Sequence, residues 1–309
     1  MDRRLIAVVG PTGAGKSALA LDIAETFQGE IVNCDSLQLY RGFDIGSAKV
    51  PLSERRGIPH HLLDILSPPQ EFSAGEYLRS ARDTVAEIST RGRLPVIAGG
   101  SGFYLRALLE GLPPMPMRDL ALRARLALRE RRRPGSLHRL LARLEPNAAR
   151  RVHSNDVQKL TRALEVRILT RESIPSSHSA EPLPEFRALK IGLDPDRASL
   201  YSRLDERVQR MFEVGLVDEV MRLLAEGATG AEKPFESLGY KQALRFVRGE
   251  TTLEQALAST QLETRQYAKR QWTWFRRDPQ VHWLRGFGDD ASVRAQAFEI
   301  VQRFYKNSP

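Results

Sequence analysis

Apolar and polar positions alternate in blocks along the first hundred residues. Leu5-Ile6-Ala7-Val8-Val9 is an unbroken apolar run, the pattern of a strand buried on both faces of a parallel sheet. A glycine-rich loop, Gly10 to Gly15, follows. From Lys16 the apolar positions Leu19, Ile23 and Phe27 recur at helical steps. A second strand is predicted over Ile31–Cys34, ending at Asp35-Ser36. Past an irregular stretch carrying Pro51, Gly57, Pro59, Pro68 and Pro69, the pattern predicts a helix over 74–91. A third strand, Pro95–Ala98, stops at Gly99-Gly100. Strands alternating with helices predict an α/β fold, an open and mostly parallel sheet flanked by helices.

The pattern changes near Gly111. Leu112-Pro113-Pro114-Met115-Pro116 is stiff punctuation, and residues 118–172 then show helical periodicity dense in Arg, with no strand. Pro134-Gly135 and Pro146-Asn147 divide this region into several helices. A Ser/Pro-rich stretch, 174–184, closes it, and strand character returns at Ala188–Leu193. The expected organisation is a core from 1–112 and 187–309 with an all-helical insertion over 113–186. Long helices are expected over roughly 199–226 and 252–277.

Composition narrows the class. Of 309 residues 41% are apolar and 28% charged, as in ordinary globular chains. No apolar run approaches the roughly 20 residues of a membrane helix. The N-terminal apolar run is too short for a secretory signal. The single cysteine, Cys34, can form no internal disulfide and no cysteine metal site, which fits a reducing cytoplasm. Lys plus Arg total 47 against 38 acids, a formal charge of +9, and 39 of the 47 are Arg. Guanidinium forks match phosphate oxygens. The same excess also arises from composition bias, and charge by itself leaves the two readings level.

Gly10-Pro11-Thr12-Gly13-Ala14-Gly15-Lys16-Ser17 matches the phosphate-loop pattern G-x-x-x-x-G-K-[ST] in the strand–loop–helix setting it requires. Such a loop turns backbone amides onto a diphosphate, with the positive end of a helix behind it. Lys16 is placed to reach the outer phosphate, and the Ser17 hydroxyl to ligate Mg²⁺. A phosphoryl-transferring enzyme of this class has an acid after an apolar strand. The third strand here ends Ala98-Gly99-Gly100-Ser101, without one. The acid stands after the second strand, at Asp35, where it either acts as a base or caps a helix begun by Ser36-Leu37-Gln38; the pattern leaves both open. The pair His60-His61 reads as structural rather than metal-ligating. In the helix from Leu200, Arg203, Arg207 and Arg210 share one stripe beside apolar Leu204, Val208 and Phe212.

The chain resembles the bacterial tRNA dimethylallyltransferases, also called tRNA isopentenyltransferases. The resemblance runs nearly end to end, through GPTGAGKS (10–17), VNCDSLQLYRGFDIGSAK (32–49), HHLLDI (60–65), PVIAGGSGFYLRALLEGL (95–112), NDVQKLTRALEV (155–166), RMFEVGLVDEV (210–220), ESLGYKQ (236–242) and RQYAKRQWTWFRR (265–277). It implies a P-loop-like core that holds dimethylallyl diphosphate rather than ATP. It implies Mg²⁺-assisted transfer of the dimethylallyl group to N6 of the adenosine 3′ of the anticodon, with release of diphosphate. The implied partner is a tRNA anticodon stem-loop, met by a cytoplasmic monomer with no membrane attachment.

The resemblance also carries roles to particular residues. Asp35 matches the base that accepts the amine proton, Ser101 a hydroxyl position beside the target nucleotide, and Arg203, then Arg207, the arginines of the diphosphate. Contacts to tRNA carry over to Asp35, Ser36, Leu37, Gln38 and Ser101, to Arg123, to Gln158, Lys159, Leu160, Thr161 and Arg162, and to Gly239, Tyr240 and Lys241. The target adenosine must leave its stack to reach a buried prenyl carbon, so a channel entered from two ends is expected. Tyr40, Phe103 and Tyr104 either wall the prenyl pocket or pack the core. Trp272, Trp274 and Phe275, set among basic residues, resemble a stacking platform but are expected as core anchors. The competing readings are a prenyltransferase acting on free adenine nucleotides, a P-loop small-molecule kinase, and an NTP-using RNA-binding switch.

Overall fold

A computed structural model of the chain describes residues 3–172, 181–183 and 185–306. Most of the Ser/Pro-rich stretch 174–184 lies outside the described residues. Contacts divide the chain into two compact units, Met1–Leu109 with Leu183–Pro309, and Glu110–Pro182.

The first unit is built on β1 (Arg3–Val9), β2 (Gly29–Asn33), β3 (His60–His61), β4 (Leu94–Ala98), β5 (Phe186–Leu193) and β6 (Val281–Leu284). They form one six-stranded sheet in the order β3-β2-β4-β1-β5-β6, and every pair is parallel. Its helices are α1 (Lys16–Thr26), α2 (Ala74–Thr90), α3 (Gly102–Glu110), α8 (Arg197–Glu213), α9 (Leu216–Ala225), α10 (Tyr240–Val247), α11 (Leu253–Phe275) and α12 (Ala291–Lys306). The α/β class and parallel sheet read from the sequence are what the structure shows. β3 and β6 escape the sequence pattern because a two-residue and a four-residue strand leave almost no periodicity.

β1 shows why the fold has two layers of helix. Side chains alternate across a strand, so Leu5, Ala7 and Val9 enter one core while Ile6 and Val8 enter the other. The first core takes Tyr77, Val85 and Ile88 of α2; the second takes Leu19 and Ile23 of α1 and Val293 of α12. All five β1 positions are essentially inaccessible to water. Each large aliphatic side chain among them contributes roughly 1.5–3 kcal/mol on burial.

The helix expected over 199–226 is two. Gly215 adopts φ 107°, a left-handed turn that ends α8 and starts α9. α2 begins on a reciprocal capping box, Ser73 with Glu76, and α11 on another, Thr252 with Gln255. His60 Nδ1 lies 2.8 Å from the Ile58 carbonyl, and His61 Nε2 lies 2.6 Å from Glu30 on β2, which gives both rings structural partners.

The second unit contains α4 (Leu120–Arg132), α5 (Ser136–Leu144), α6 (Pro146–Ala149) and α7 (Val157–Thr170) around Leu122, Leu126, Leu137, Leu141, Leu160 and Leu164. Among the described residues no helix is long and apolar enough to cross a membrane.

Candidate active site

Parallel strands end together, and the register here brings the loops after β1, β2 and β4 to one edge of the sheet. Ile6 pairs with Val96, and Asn33 with Ala98. Ligands of open parallel sheets bind at that carboxyl edge.

The loop after β1 is Gly10–Gly15, and α1 starts at Lys16. Three elements distant in sequence hold it. The Gly288 amide donates to the Ala14 carbonyl at 2.8 Å. The Thr12 amide donates to Gln271 Oε1 of α11 at 2.7 Å. Arg207 of α8 donates to the Thr12 hydroxyl at 3.3 Å. Pro11 and Ala14 are buried, Thr12, Gly13, Gly15 and Lys16 are half-buried, and Ser17 is exposed. The first amides of α1 point out of the helix without intrahelical partners. Lys16 donates to the Pro11 carbonyl at 2.8 Å. Burial lowers its pKa to about 8, against the opposing pull of the Asp35 carboxylate. Burial likewise lowers Arg207, again with Asp35 pulling upward. Two cations and one carboxylate therefore share the ground beside the loop.

Asp35 is set by its neighbours. Asn33, buried at the end of β2, accepts from the Asp35 amide at 2.9 Å and donates to the Asp35 and Leu62 carbonyls at 3.0 and 2.9 Å. Tyr77 donates to the Asn33 carbonyl at 3.0 Å. Asp35 Oδ1 accepts from the Leu37 amide at 2.9 Å, closing a turn; Ser36-Leu37-Gln38 are not helical, so the helix-cap alternative falls away. The loop after β4 lies against this turn. The Ser101 amide donates to the Cys34 carbonyl at 3.0 Å, and the Ser36 amide donates to Ser101 Oγ at 3.1 Å. A Cβ at Gly99 would sit 2.1 Å from the Cys34 carbonyl oxygen, so only glycine permits this approach. Cys34 is itself buried, and that burial pushes its thiol up to about 12.

Gln271 joins the two sides. Besides accepting from Thr12, it donates to the Gly100 carbonyl at 2.9 Å, and it is only 5% exposed. Tyr267, one turn earlier on α11, is raised above the ordinary phenol range by burial and by the charge of Asp35. Gln271, Tyr267 and Asn33 were not singled out as site residues from the sequence. The signal available was that Gln271 and Tyr267 fall inside the family-like string 265–277 and Asn33 inside 32–49.

Several expected residues stand elsewhere than expected. Arg203 gives its guanidinium to both oxygens of Asp289, at 2.9 Å each, and stacks on Phe287. That pair holds the 286–289 segment against Gly15, and the arginine beside Thr12 is Arg207. Tyr240 is fully buried; it donates to Glu219 and accepts from the Gly46 amide at 3.0 Å, so its side chain cannot meet RNA. Lys241 is exposed enough to do so and pairs with Glu263 at 2.9 Å, next to Gly239 at the start of α10. Tyr40 and Tyr104 belong to the core, whereas Phe103 is 45% exposed. Phe275 is a core anchor, Trp272 is half-buried with its indole N–H donating to Asp194 at 2.7 Å, and Trp274 is 38% exposed, against the expectation of core. Its indole edge rests directly on Gly102, where a Cβ would sit 2.2 Å from Nε1.

In the helical unit, Leu160 is entirely buried in that unit's core, which removes its side chain from any RNA surface. Arg123 makes two hydrogen bonds of 2.7 Å to Glu165, and Arg162 bonds the same carboxylate and the Pro116 carbonyl. Glu165 has no exposed surface. Burial acts to raise its pKa, but the two arginines and the Asp119 amide outweigh it and hold the carboxyl at about 2. Both arginines are thus committed to an internal ion pair. Gln158 and Lys159 are exposed and Thr161 is half-buried. Arg125, Arg129, Arg131, Arg132 and Arg133 of α4 and its C-cap add an exposed basic surface.

The family model for IPP transferase matches residues 38–278. The chain is 59% identical over 302 residues to the tRNA dimethylallyltransferase of Solibacter usitatus, spanning 97% of this chain and 98% of that one. It is 49% identical over 305 residues to the tRNA dimethylallyltransferase of Koribacter versatilis, spanning 97% and 99%. Among solved structures, the full-length tRNA isopentenylpyrophosphate transferase of Bacillus halodurans matches with a TM-score of 0.73 at 35% identity, covering 98% of this chain and 96% of that one. A eukaryotic dimethylallyltransferase acting on tRNA matches with a TM-score of 0.83 at 27% identity, covering 99% and 80%.

Proposed function

The chain belongs to the IPP transferase family, as a tRNA dimethylallyltransferase of that family, and from this premise we propose how its residues carry out the transfer. The acceptor is N6 of the adenosine 3′ of the anticodon, and the donor is dimethylallyl diphosphate. The observation that carries the reading is the meeting of Lys16 and Arg207 with Asp35 at one edge of the sheet, where loops for an anion and for an amine are clasped together by Gln271.

A bond forms between N6 and the allylic carbon, and the bond from that carbon to the diphosphate oxygen breaks. Negative charge grows on the departing oxygens, so preorganised donors there lower the barrier. The amides of Gly13, Gly15, Lys16 and Ser17, the Lys16 ammonium and the Arg207 guanidinium are those donors. Arg203 supports them through Asp289 rather than by touching the diphosphate. The exocyclic amine is a weak nucleophile because its lone pair is delocalised. It becomes acidic as the new bond forms, and Asp35 Oδ2, the oxygen not held by Leu37, accepts its proton. Ser101 keeps the Asp35 turn in place through Ser36 and stands beside the acceptor base.

A divalent cation, Mg²⁺, fits the donor set. The Ser17 hydroxyl is exposed next to Lys16, and among the described residues no cluster of three His, Cys, Asp or Glu forms a protein cage. Mg²⁺ is commonly held by few side chains together with phosphate oxygens and water. When bound it supplies further positive charge to the leaving group.

The helical unit serves as the grip on the tRNA stem-loop. The exposed arginines of α4, with Gln158 and Lys159 of α7, present a cationic surface to phosphates.

The test is transfer of radiolabel from dimethylallyl diphosphate to unmodified tRNA or to free AMP, with Mg²⁺ and without ATP. Label in tRNA at the adenosine next to the anticodon is expected. Label in AMP alone would reassign the acceptor. Asp35→Asn is expected to lower turnover by about 10²–10⁴ while tRNA binding stays within a few-fold. Loss of binding with normal chemistry on bound RNA would remove Asp35 from its role.

A further inference from the structure

Lys49 is buried among oxygens, its side chain only 4% exposed. Its ammonium donates to the Tyr40 carbonyl at 2.5 Å, to Asp44 Oδ1 at 2.7 Å and to Asp64 Oδ1 at 2.5 Å, so every N–H is used. Both carboxylates keep an outer side in water. One lysine thus draws the stretch 40–44 and the stretch around 64 onto a single buried point. The backbone about it is strained. Ala48 and Leu62 adopt φ 49° and 58°, and Asp64 adopts 56°. Such left-handed residues persist only where the surroundings over-determine them. Burying an ammonium is costly unless every hydrogen is bonded, so packing alone would be served better by an apolar side chain.

Both stretches lead to Asp35. Tyr40, whose carbonyl Lys49 holds, donates its amide to the Leu37 carbonyl at 3.1 Å, and the Leu37 amide donates to Asp35 Oδ1 at 2.9 Å. By the other route, the Asp64 amide donates to the Gln38 carbonyl at 3.2 Å. The Leu62 carbonyl beside it accepts from Asn33, which also bonds the Asp35 amide and carbonyl. The far bend is fixed to α9, where Glu219 accepts from the Asp44 and Ile45 amides at 3.2 and 3.1 Å. Lys49 ties the arm between that bend and Asp35. Its three bonds end on this arm and on Asp64, and none ends on the phosphate loop.

We propose that Lys49 is a positioning residue for the transfer: by joining Tyr40, Asp44 and Asp64 it keeps the Asp35 carboxylate aimed at the acceptor amine. The proposal rests on the reaction assigned above, in which Asp35 accepts the amine proton. Without the ammonium the two carboxylates turn to water, and the Asp35 turn loses a restraint on each side. A displacement of about 1 Å at a reacting group costs on the order of 10²-fold in rate.

The experiment is a double-mutant cycle on kcat, measured at saturating tRNA and dimethylallyl diphosphate. Lys49→Met keeps the length of the side chain and removes its charge. It is expected to lower kcat by about 10–100-fold and to leave the KM for dimethylallyl diphosphate unchanged. Added to Asp35→Asn, it is expected to cost no more than about threefold beyond Asp35→Asn alone, since a residue acting through Asp35 then has nothing left to position. A wild-type kcat for Lys49→Met, or a double variant whose loss is the product of the two single losses, would overturn the proposal; the second result would mark Lys49 as structural. Should urea denaturation show Lys49→Met unfolded, Asp64→Asn takes its place in the same cycle. That residue is 41% exposed, and the loss expected is about three- to tenfold, the worth of one hydrogen bond, with the same non-additivity. Asp35→Asn alone reports on the reaction. A wild-type rate for it would overturn the base and the role of Lys49 together, whereas a slow Asp35→Asn with an additive cycle would overturn Lys49 only.

Discussion

Gln271→Met tests whether the site depends on a single clasp. Methionine has nearly the volume and shape of glutamine, so packing is kept while both hydrogen bonds are lost. The Thr12 amide, bonded at 2.7 Å, is left without a partner, while the Gly100 carbonyl loses its 2.9 Å bond and keeps the Gly102 amide at 3.1 Å. An unsatisfied buried polar group costs roughly 1–3 kcal/mol. Thr12 is half-buried, so water partly compensates, and the total falls at about 1–3 kcal/mol. A domain of ordinary stability, about 5–15 kcal/mol, stays folded after such a loss. The larger effect is on chemistry. The clasp sets the anion loop against the loop carrying Ser101, and a misplacement of about 1 Å costs on the order of 10²-fold in rate. Urea denaturation gives the stability change. Steady-state kinetics on the folded variant give kcat and the KM for dimethylallyl diphosphate. The expected result is a kcat lowered by about 10–100-fold with tRNA affinity unchanged. A folded variant that is less stable but has wild-type kcat and KM would refute the reasoning, since the clasp would then hold the fold and not the site.

Lys16, lowered to about 8 by burial, is charged below that pH and neutral above it, so kcat/KM for the prenyl diphosphate should fall as pH rises through about 8. A pH–rate profile of Lys16→Arg should lack that inflection. Glu165, held at about 2 against an ordinary 4.5, adds stability that is complete above about pH 4.5 and is lost as pH falls towards 2. The shift corresponds to about 3 kcal/mol, and Glu165→Gln should flatten acid unfolding of the chain over that window. Lys159→Ala should reduce the salt dependence of tRNA binding by about one phosphate contact. Arg162→Ala should instead lower the melting temperature and leave the salt slope unchanged, because its guanidinium is committed to Glu165.

Much of the candidate site was legible in order along the chain. The phosphate loop is local, eight residues whose spacing states its chemistry, and the structure presents it at the end of β1. Asp35 was legible as an acid in an unusual place, after the second strand rather than the third. What could not be read were partners separated by hundreds of residues. Gln271 and Thr12 are 259 positions apart, and no periodicity in α11 marks one glutamine as the clasp. Arg203 and Arg207 sit one turn apart on the same stripe. Only the position of Asp289 decides that one anchors a loop and the other reaches the Thr12 hydroxyl.

Burial divided the expected RNA-contacting residues in the same way. In the string from 158 to 162, Lys159 is exposed while Leu160 is sealed in a core, since neighbouring helix positions point about 100° apart. Tyr240 has the composition of a binding residue but lies inside, bonded to Glu219. Trp272 and Trp274 are two residues apart on one helix. One is held by Asp194, and the other lies open over a glycine.

By itself the sequence determined the local events: apolar runs that must be buried strands, capping residues that start helices, a glycine loop between β1 and α1, and an excess of Arg. Each follows from interactions among residues close in the chain. The tertiary structure alone decided strand order, which of several equivalent cations remain free, and which aromatic faces stay wet. Those outcomes depend on contacts between distant segments, where one carboxylate or one missing Cβ determines whether a side chain is buried, paired or left available for a substrate.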